Sequence, residues 1–593
     1  MRSRVLLGAL LTLLVAALLL PALAAAANKP ADTVFKNGYV YTVNPGAGVA
    51  HAVAVRGGRI VYVGSNRGAA AFVGPSTKVV KLGGKMMLPG FIDAHAHAGM
   101  TASALYSALL YGLTSVDEYV AAVKTFADAN TDLTWVRGQG WSNTVVPDQG
   151  PLATDLDKAV PDRPSAIMSE DGHSYWVNTK ALEAAGITGA TADPANGVIE
   201  RVAGTESSDP PYGTPSGTLR ETAADLVTGI IPDYTVGQYE NGIAYYQGDV
   251  AAPVGITTVF DPLLKVGSNA IQAYQNMADA GTLAVRVRGA LSLAPEMDFS
   301  TWLPAAKAER AKHTRPMFKT PAVKVFADGV VEGHTAYLDE PYADALAYKG
   351  DASFRGEPIW RPRLMKRTFA KLDKAGFQIH THAIGDAATT ETLDALAYAR
   401  RVNGAHDWRP GITHLQLVDP SDFRRFARLG VTAVPDPYWF IKDDYYTYLQ
   451  LPYLGLPRAD KEYPMKSFFD AGVTVASASD YPVTIPPAPL MGIAVGVNRW
   501  APDYVYEYPA PPSLKGVLWP KERVSIKRMI RSFTIEGAKA NFLGRQTGTI
   551  KVGKRADLVV LDTNLLKVAH PTELFNAHVL FTMGAGKVLF DTL

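Results

Sequence analysis

The chain has 593 residues, of which 47% are hydrophobic and 19% charged, so it is long enough for one large domain with a smaller one, or for several ordinary domains. The net charge is only +2 and the basic residues are scattered, which gives no support for a nucleic-acid partner or an anionic membrane surface. Cysteine is absent, which excludes disulfides, thiolate nucleophiles and cysteine-ligated zinc. Any metal must therefore be held by His, Asp, Glu or a modified lysine.

The N-terminus differs sharply from the rest of the chain. The first four residues carry two arginines, residues 5–20 are almost wholly apolar, and Ala22 and Ala24 are placed as in an A-x-A cleavage site. We therefore predict a cleaved signal peptide over residues 1–27, and a secreted or periplasmic protein that has no membrane association after cleavage. The alternative is an uncleaved anchor, because residues 5–27 are long enough to span a bilayer.

The segments next to both ends have the character of β-strands. Residues 33–64 alternate β-rich runs with glycine turns. Near the C-terminus, the runs G-T-I-K-V-G-K-R-A-D-L-V-V-L-D and V-L-F-T-M-G-A-G-K-V-L-F-D show the same pattern. We predict one small β-sandwich domain that is built from residues 28–87 and 536–593.

Between these parts, short apolar runs alternate with helical patterns, which indicates a parallel α/β architecture. The clearest strand-like runs are 322–326, 377–382, 411–415 and 473–480. We predict a barrel over residues 88–535, with residues 104–250 forming a long insertion that covers one side of it. In α/β barrels the active residues lie at the C-terminal ends of the strands.

Polar residues mark the ends of these apolar runs. In L-P-G-F-I-D-A-H-A-H-A-G, His95 and His97 stand two residues apart, which on a strand directs both imidazoles to one face. A charged or imidazole group on a buried strand costs free energy unless it is paired or bound to a metal. The other polar residues placed in this way are Lys324, His380, His382, His414 and Asp480. Each of these residues alone has an ordinary interpretation, and Lys324 in particular could form a salt bridge with Asp328. Together with His95 and His97, however, they predict a metal site.

Further motifs run in order through nearly all of the mature chain. They include D-G-H-S-Y-W-V-N (171–178), G-T-P-S-G-T-L-R-E (213–221), V-K-V-F-A-D-G (323–329), H-A-I-G-D-A-A (382–388), S-D-Y-P-V (479–483) and G-K-R-A-D-L-V-V-L-D (553–562). With P-G-F-I-D-A-H-A-H (89–97), they resemble the amidohydrolase superfamily, in the branch often labelled amidohydrolase family 3. This branch contains YtcJ-like and N-substituted formamide deformylase-like metal-dependent hydrolases.

The resemblance implies a (β/α)8 TIM barrel with a small flanking β-sandwich domain built from both termini. It also implies a site with two divalent metals, most simply zinc, with manganese or iron as alternatives. One metal would be held by His95, His97 and Asp480, the second by His382 and His414, and a carboxylated Lys324 would bridge them. His380 is outside the family motif, so it is either a supporting group or the true ligand in place of His382. Without carboxylation of Lys324 the site would hold one metal.

The implied function is a metal-dependent hydrolase that acts on a non-peptide carbon–nitrogen amide bond of a small molecule. The metal lowers the pKa of bound water to give the hydroxide nucleophile, and Asp480 serves as general base and acid. Alternatives on the same site are an esterase or lactonase, a hydrolytic deaminase that uses Asp386, or a catalytically silent regulatory protein. No G-x-S-x-G motif supports a serine hydrolase.

Three residues are candidates for substrate binding: His173 in D-G-H-S, Trp141 in a G-W pair and Trp439 in V-P-D-P-Y-W-F (434–440). Each has an ordinary interpretation as a packing residue. Many relatives carry a polar Q-P where this chain has V-P-D-P-Y-W-F, so the identity of their substrates does not transfer. The aromatic residues there favour an aromatic or bulky apolar substrate group. The resemblance also leaves a homo-oligomer open.

Overall fold

The structure is a computed structural model and describes residues 29–147, 149–194, 196–502 and 516–593. The predicted signal peptide, residues 1–27, lies outside the described residues. Among the residues that are described, no helix combines the length and the apolarity needed to cross a bilayer.

Seven parallel strands form the largest sheet, and each pairs with the next one along the chain. Almost every residue in them is buried, as expected for parallel strands that are covered on both faces. The strands are β1 (Phe91–Asp93), β2 (Ile256–Leu264), β3 (Arg286–Ser292), β4 (Phe318–Phe326), β5 (Gln378–Ala383), β6 (Gly411–His414) and β7 (Thr432–Val434).

An extended segment, residues 474–480, joins the two edges of this sheet. On the β7 side, Ala476 N donates to Ala433 O (2.9 Å), and on the β1 side Asp480 N donates to His95 O (2.8 Å). The sheet therefore curls into a TIM-barrel-like α/β fold, which confirms the predicted fold class at that level. We call residues 474–480 the closing segment.

Helices follow the strands, and local sequence signals define their ends. The helix after β2 begins behind Ser268, whose hydroxyl accepts a hydrogen bond from the Ile271 N–H, and ends at Gly281, which has a φ of 72°. The barrel helices are Asn269–Ala280, Phe299–Lys312, Ala345–Lys349, Pro362–Lys374, Asp386–Asn403, Phe423–Leu429, Leu451–Leu454, Leu456–Ala459, Lys466–Asp470, Pro489–Asn498, Ile526–Arg531 and Gly537–Ala540.

Between β1 and β2 the chain forms a separate six-stranded sheet, within the region predicted as an insertion. Its strands are Ala108–Leu109, Val136–Trp141, Ser165–Ser169, Ser174–Val177, Gly197–Arg201 and Pro215–Glu221. Its helices are Ala102–Tyr106, Val116–Ala129, Ala153–Ala159, Thr179–Ala185, Asp225–Thr228 and Val236–Tyr245. The turn between Ser165–Ser169 and Ser174–Val177 carries the D-G-H motif, so the sheet delivers that motif to the barrel.

Two small sheets are built from the ends of the chain. The first contains Thr33–Lys36, Ala52–Arg56, Arg59–Gly64 and Lys78–Lys81, and a short helix, Asn66–Ala69, follows its third strand. The second contains Tyr39–Val40, Met86–Pro89, Leu558–Leu561, Val579–Gly584 and Lys587–Asp591. Buried residues of both sheets share one hydrophobic cluster, in which the rings of Phe35 and Phe581 are 5.4 Å apart. The second sheet leads directly into β1.

Candidate active site

Buried hydrogen bonds hold the end of β1 against the closing segment. The Asp93 carboxylate accepts hydrogen bonds from the backbone N–H groups of His95 (3.2 Å) and Ser479 (3.1 Å), and from the Ser479 hydroxyl (2.5 Å). Burial raises the pKa of Asp93 to about 7, although these hydrogen bonds oppose the shift. The segment that carries His95 and His97 is thereby fixed beside Asp480.

Asp480 lies against two imidazoles. Its Oδ1 atom is 3.1 Å from Nε2 of His97 and 3.3 Å from Nε2 of His95. Burial alone would raise the pKa of Asp480, but the two histidines hold it well below its ordinary value, so the carboxylate is ionised.

The backbone of Asp480 has a φ of 55° and that of His414 a φ of 72°. A non-glycine residue in this region costs about 1–3 kcal/mol, and such strain is concentrated at functional sites.

His414 joins this pair from β6. One ligand atom from each of His95, His414 and Asp480 lies within 4.8 Å of the other two, and all three residues are buried. Nδ1 of His414 donates to Oδ2 of Asp436 at 2.9 Å, which leaves Nε2 as the ligand nitrogen. A carboxylate behind a histidine in this way is the usual support for a metal-binding imidazole.

This donor set fits a divalent metal. Burial lowers the pKa of His414 to about 3 and that of His95 well below its ordinary value, so both imidazoles are neutral. Nε2 of His95 is buried without a hydrogen-bond partner, which is rare for a polar atom. Neutral imidazoles with an ionised carboxylate are ligands that zinc prefers, and manganese or iron accept them too.

His380 contacts His95 directly. Nε2 of His380 is 2.7 Å from Nδ1 of His95, and the His380 ring packs on Phe260 with 4.6 Å between ring centroids. If a metal occupies Nε2 of His95, the remaining proton is on Nδ1 and is donated to His380. His380 then orients His95 and has its Nε2 engaged, in keeping with a supporting role.

Lys324 lies beside His380, since the two residues are partners in the register of β4 and β5. It is fully buried, and burial lowers its pKa to about 7, although the carboxylates of Asp480 and Asp436 oppose the shift. The proposed salt bridge with Asp328 is not formed. The Asp328 carboxylate is held instead by backbone N–H groups of residues 337, 384 and 385, at 2.8 to 3.0 Å.

His382 lies next to His414, with 4.6 Å between their ring centroids. Its Nε2 donates to the carbonyl oxygen of Gly329 at 3.0 Å, so Nδ1 is its free ring nitrogen. The structure therefore brings the predicted ligand residues to one region of the barrel, and the ligand atoms of His95, His414 and Asp480 lie within 4.8 Å of one another. We call this group the histidine cluster: His95, His97, Lys324, His380, His382, His414 and Asp480.

A pocket of about 240 Å³ opens above the histidine cluster, and His382, His414 and Asp480 form part of its lining. His173, from the inserted sheet, also lines it. Nδ1 of His173 is 3.0 and 3.1 Å from the two carboxylate oxygens of Glu221. Burial would lower the pKa of His173, but the Glu221 carboxylate outweighs it and raises the pKa to about 9. His173 is thus a charged, oriented group on the pocket wall.

The two predicted tryptophans have different surroundings. Trp439 lines the pocket, stacks on His414 with 5.5 Å between ring centroids, and donates its indole N–H to the Thr484 hydroxyl (3.0 Å). Trp141 is fully buried and donates to the Ile167 carbonyl (3.1 Å) in the core of the inserted sheet. The structure does not bring Trp141 to the pocket.

Asp386, the residue assigned to the deaminase alternative, begins the helix Asp386–Asn403. Its Oδ1 atom accepts hydrogen bonds from the backbone N–H groups of Asp339 (2.8 Å) and Ala387 (3.1 Å). It is not part of the pocket lining.

Sequence reasoning did not assign a supporting role to several carboxylates near the site: the buried Asp93, Asp328 and Asp436, and the partly buried Glu221. The first three directly follow or end an apolar run, in F-I-D, V-F-A-D and T-A-V-P-D, so the same signal that marked the histidines also marked them. Glu221 ends the G-T-P-S-G-T-L-R-E motif, but the sequence gives no sign that it faces His173.

The fold and the buried histidine and carboxylate side chains at the C-terminal ends of its strands define a barrel of the metal-dependent hydrolase class. The chain belongs to the Amidohydrolase family, whose model matches residues 78–590. It is an enzyme of that family, as the motifs predicted.

Individual relatives are distant but similar in length. The chain is 28% identical to the N-substituted formamide deformylase of Arthrobacter pascens, over 94% of this chain and 98% of the relative. It is 27% identical to the putative amidohydrolase YtcJ of Bacillus subtilis (strain 168), over 94% and 99%. Among solved structures, an uncharacterized metal-dependent hydrolase from Pyrococcus horikoshii OT3 superimposes with a TM-score of 0.67 and 22% identity, over 90% of this chain and 98% of that one. This last likeness concerns the fold.

Proposed function

We propose that the protein hydrolyses a non-peptide carbon–nitrogen amide bond of a small molecule, with a divalent metal as cofactor. The observation that carries this proposal is the group of His95, His414 and Asp480 at the base of a pocket in an amidohydrolase-family barrel. The similarity to an N-substituted formamide deformylase over nearly the whole chain supports the choice of amide-type substrates.

His95, His97 and Asp480 would hold one metal, His382 and His414 a second, and a carboxylated Lys324 would be shared by both in a site for two zinc ions. The closeness of His414 to His95 and Asp480 supports two neighbouring metal positions. A bound divalent metal lowers the pKa of a water ligand and polarises the substrate carbonyl. Carboxylation requires a neutral amine, and the depressed pKa of Lys324 favours that form at neutral pH.

The side chains around the metals have separate tasks. The ionised Asp480 carboxylate takes a proton from the attacking water and delivers it to the leaving nitrogen. His173, whose Nδ1 is held by Glu221, donates a hydrogen bond from its other nitrogen to the substrate carbonyl oxygen. Trp439 packs against the substrate beside His414, and Trp141 contributes only through the inserted sheet.

The decisive experiment measures metal content and turnover on the same preparation. The purified protein is dialysed without chelator, its metals are counted by elemental analysis, and it is assayed against matched panels of amides, esters and amines. We expect about two zinc or manganese ions per chain, with turnover in the amide panel. About one metal per chain would mean that Lys324 has a structural role and binds no metal. A chain that neither contains metal nor regains it when metal is added would contradict the proposal. Turnover confined to the ester or amine panel would select an esterase or a deaminase.

Three further expectations complete this proposal. We propose that residues 1–27 are removed on export, which N-terminal sequencing of the exported protein tests. We propose that the two small sheets form a β-sandwich, supported by their shared hydrophobic cluster. We also propose that the enzyme forms a homo-oligomer, which light scattering of the purified protein tests.

A further inference from the structure

The wall of the pocket above the histidine cluster is rich in carboxylates. They come from three separate segments: the D-G-H turn of the inserted sheet, the loop after β4 and the loop after β7. We call these residues the acidic wall: Glu170, Asp171, Glu332, Asp443 and Asp444. In the described part of the chain, the lining of this pocket includes neither lysine nor arginine.

The hydrogen-bond donors to Glu332 and Asp443 are neutral, whereas the charged His173, whose partner is Glu221, lies on the same pocket wall. Glu332 accepts a hydrogen bond from the side-chain amide of Gln450 (3.0 Å), and Asp443 accepts one from the backbone N–H of Tyr446 (3.0 Å). Lys442, the residue before Asp443, is engaged elsewhere, since its ammonium donates to Asp460 at 2.5 Å. Its charge is therefore matched by a carboxylate outside the acidic wall.

The carboxylates of the acidic wall also disfavour one another's charge. Burial raises the pKa of Asp443 to about 7, and the neighbouring Asp444 and Glu332 carboxylates add to the shift. Burial raises the pKa of Asp444 to about 6. A cation placed between these groups would restore their ordinary ionisation and gain their combined attraction.

Two independent features make this pocket a ligand site rather than an acidic surface. At its base, His382, His414 and Asp480 form part of the lining, and the buried Nε2 of His95, which has no hydrogen-bond partner, lies outside the lining 3.3 Å from the Asp480 carboxylate. Along its sides, Trp439, Tyr445 and Tyr463 are part of the lining, and aromatic faces attract cations in desolvated sites.

We propose that the substrate carries a positively charged nitrogen group, such as an ammonium, which binds the acidic wall while its amide lies at the histidine cluster. This inference rests on the proposed amide hydrolysis. The carboxylates select the charge, and the aromatic side chains accommodate the carbon chain beside it. An inorganic cation would be attracted by the same carboxylates, and a binding experiment distinguishes it from an ammonium group.

The test compares three formamides of nearly equal size that differ only in the end group. They are N-formyl-1,4-diaminobutane, which is cationic, N-formylpentylamine, which is neutral, and 5-formamidopentanoate, which is anionic; the matching acetamides form a second series. We expect kcat/KM of the metal-loaded enzyme to be at least tenfold higher for the cationic compound than for the neutral one, and lowest for the anionic one. Equal rates for all three would overturn the inference and leave amide hydrolysis intact.

Variants of the acidic wall test whether these residues cause the preference for the cationic substrate. The double variant Glu332→Gln/Asp443→Asn is expected to reduce the cationic-to-neutral ratio of kcat/KM at least fivefold. Glu391→Gln, a half-buried carboxylate on the helix Asp386–Asn403 outside the pocket, is the matched control and should leave the ratio unchanged. A ratio that survives the double variant would also overturn the inference.

A binding experiment separates this inference from the proposed reaction. Calorimetry with butylammonium, butanol and butyrate needs no turnover, and we expect heat of binding only with butylammonium, weakened in the double variant. If no amide is hydrolysed but this preference holds, the reaction is wrong and the cation site stands. If calcium or magnesium binds instead, with loss in the double variant, the acidic wall is an inorganic cation site and the substrate inference fails.

Discussion

The histidine cluster and the acidic wall belong to one pocket but are built in opposite ways. In the histidine cluster, burial lowers the pKa of His95, His380 and His414, so neutral imidazoles surround a single ionised carboxylate. In the acidic wall, burial raises the pKa of Asp443 and Asp444, and the ionisation of one carboxylate disfavours that of its neighbours. The histidine cluster follows barrel strands, whereas the acidic wall lies on loops.

This difference indicates that the histidine cluster and the acidic wall have separate tasks. Side chains on strands are held to a fixed geometry by the sheet, which is what metal binding and proton transfer require. Side chains on loops are free to vary without disturbing that geometry, which suits the choice of substrate. Changes in the histidine cluster should therefore act on turnover itself, and changes in the acidic wall on discrimination between substrates.

The sharpest test of this division is Asp480→Asn. It removes the carboxylate that both faces the metal site and transfers protons, so kcat/KM should fall by roughly 10³-fold or more for every substrate, whatever its charge. Asp386→Asn, an aspartate at a helix start outside the pocket, is the matched control and should retain activity. A large loss of activity in Asp386→Asn with little loss in Asp480→Asn would assign proton transfer to Asp386 and favour the deaminase alternative.

Lys324→Ala should have the next largest effect. Loss of a bridging group should lower metal content toward one per chain and reduce turnover by more than the roughly 10–100-fold that follows loss of a group that only orients a ligand. Added acetate or propionate should restore part of the activity by supplying a carboxylate. Full activity and metal content in the variant would remove Lys324 from the metal site.

His380→Ala tests orientation without removing a ligand. Loss of the partner of His95 Nδ1 should weaken metal affinity by roughly 10–100-fold, measured by competition with a chelator. His380→Gln, which retains a hydrogen-bonding side chain, should recover most of the affinity. If both variants lose metal completely, His380 is itself a ligand, and His382 was the wrong choice from the sequence.

The smallest effect concerns stability and pH. The pKa of His173 is raised from 6.5 to about 9 in the fold, so its pairing with Glu221 stabilises the protein fully below about pH 6.5 and is lost as the pH rises through 9. In metal-stripped protein, the free energy of unfolding should fall by about 3 kcal/mol across that window. Glu221→Gln should flatten the pH dependence in denaturant titrations, and an unchanged slope would show that the pair carries no such energy.

The sequence predicted the histidine cluster because strands impose a period of two and place their C-terminal ends at one edge. Position alone singled out His95 and His97, and separately Lys324, His380, His382, His414 and Asp480, whereas the choice of His382 over His380 rested on the family resemblance. Asp436 followed the same rule but lay between two prolines and was interpreted as part of a substrate loop. The six-stranded inserted sheet was not foreseen, because its short strands are separated by helices and glycine-rich turns. The partnership of His173 with Glu221 and the convergence of the acidic wall depend on loop paths that no local pattern encodes.

The small sheet that contains Met86–Pro89 and Leu558–Leu561 has a consequence for the order of assembly. The strand leading into β1 pairs antiparallel with a strand near the C-terminus, and Asp93 is bonded to Ser479 across 386 positions of the chain. The segment bearing His95 and His97 therefore gains its native partners only when almost the whole polypeptide has been made. Contacts of such long sequence separation form late in folding. The metal site is thus a late product of folding, and an incomplete chain lacks the means to assemble it.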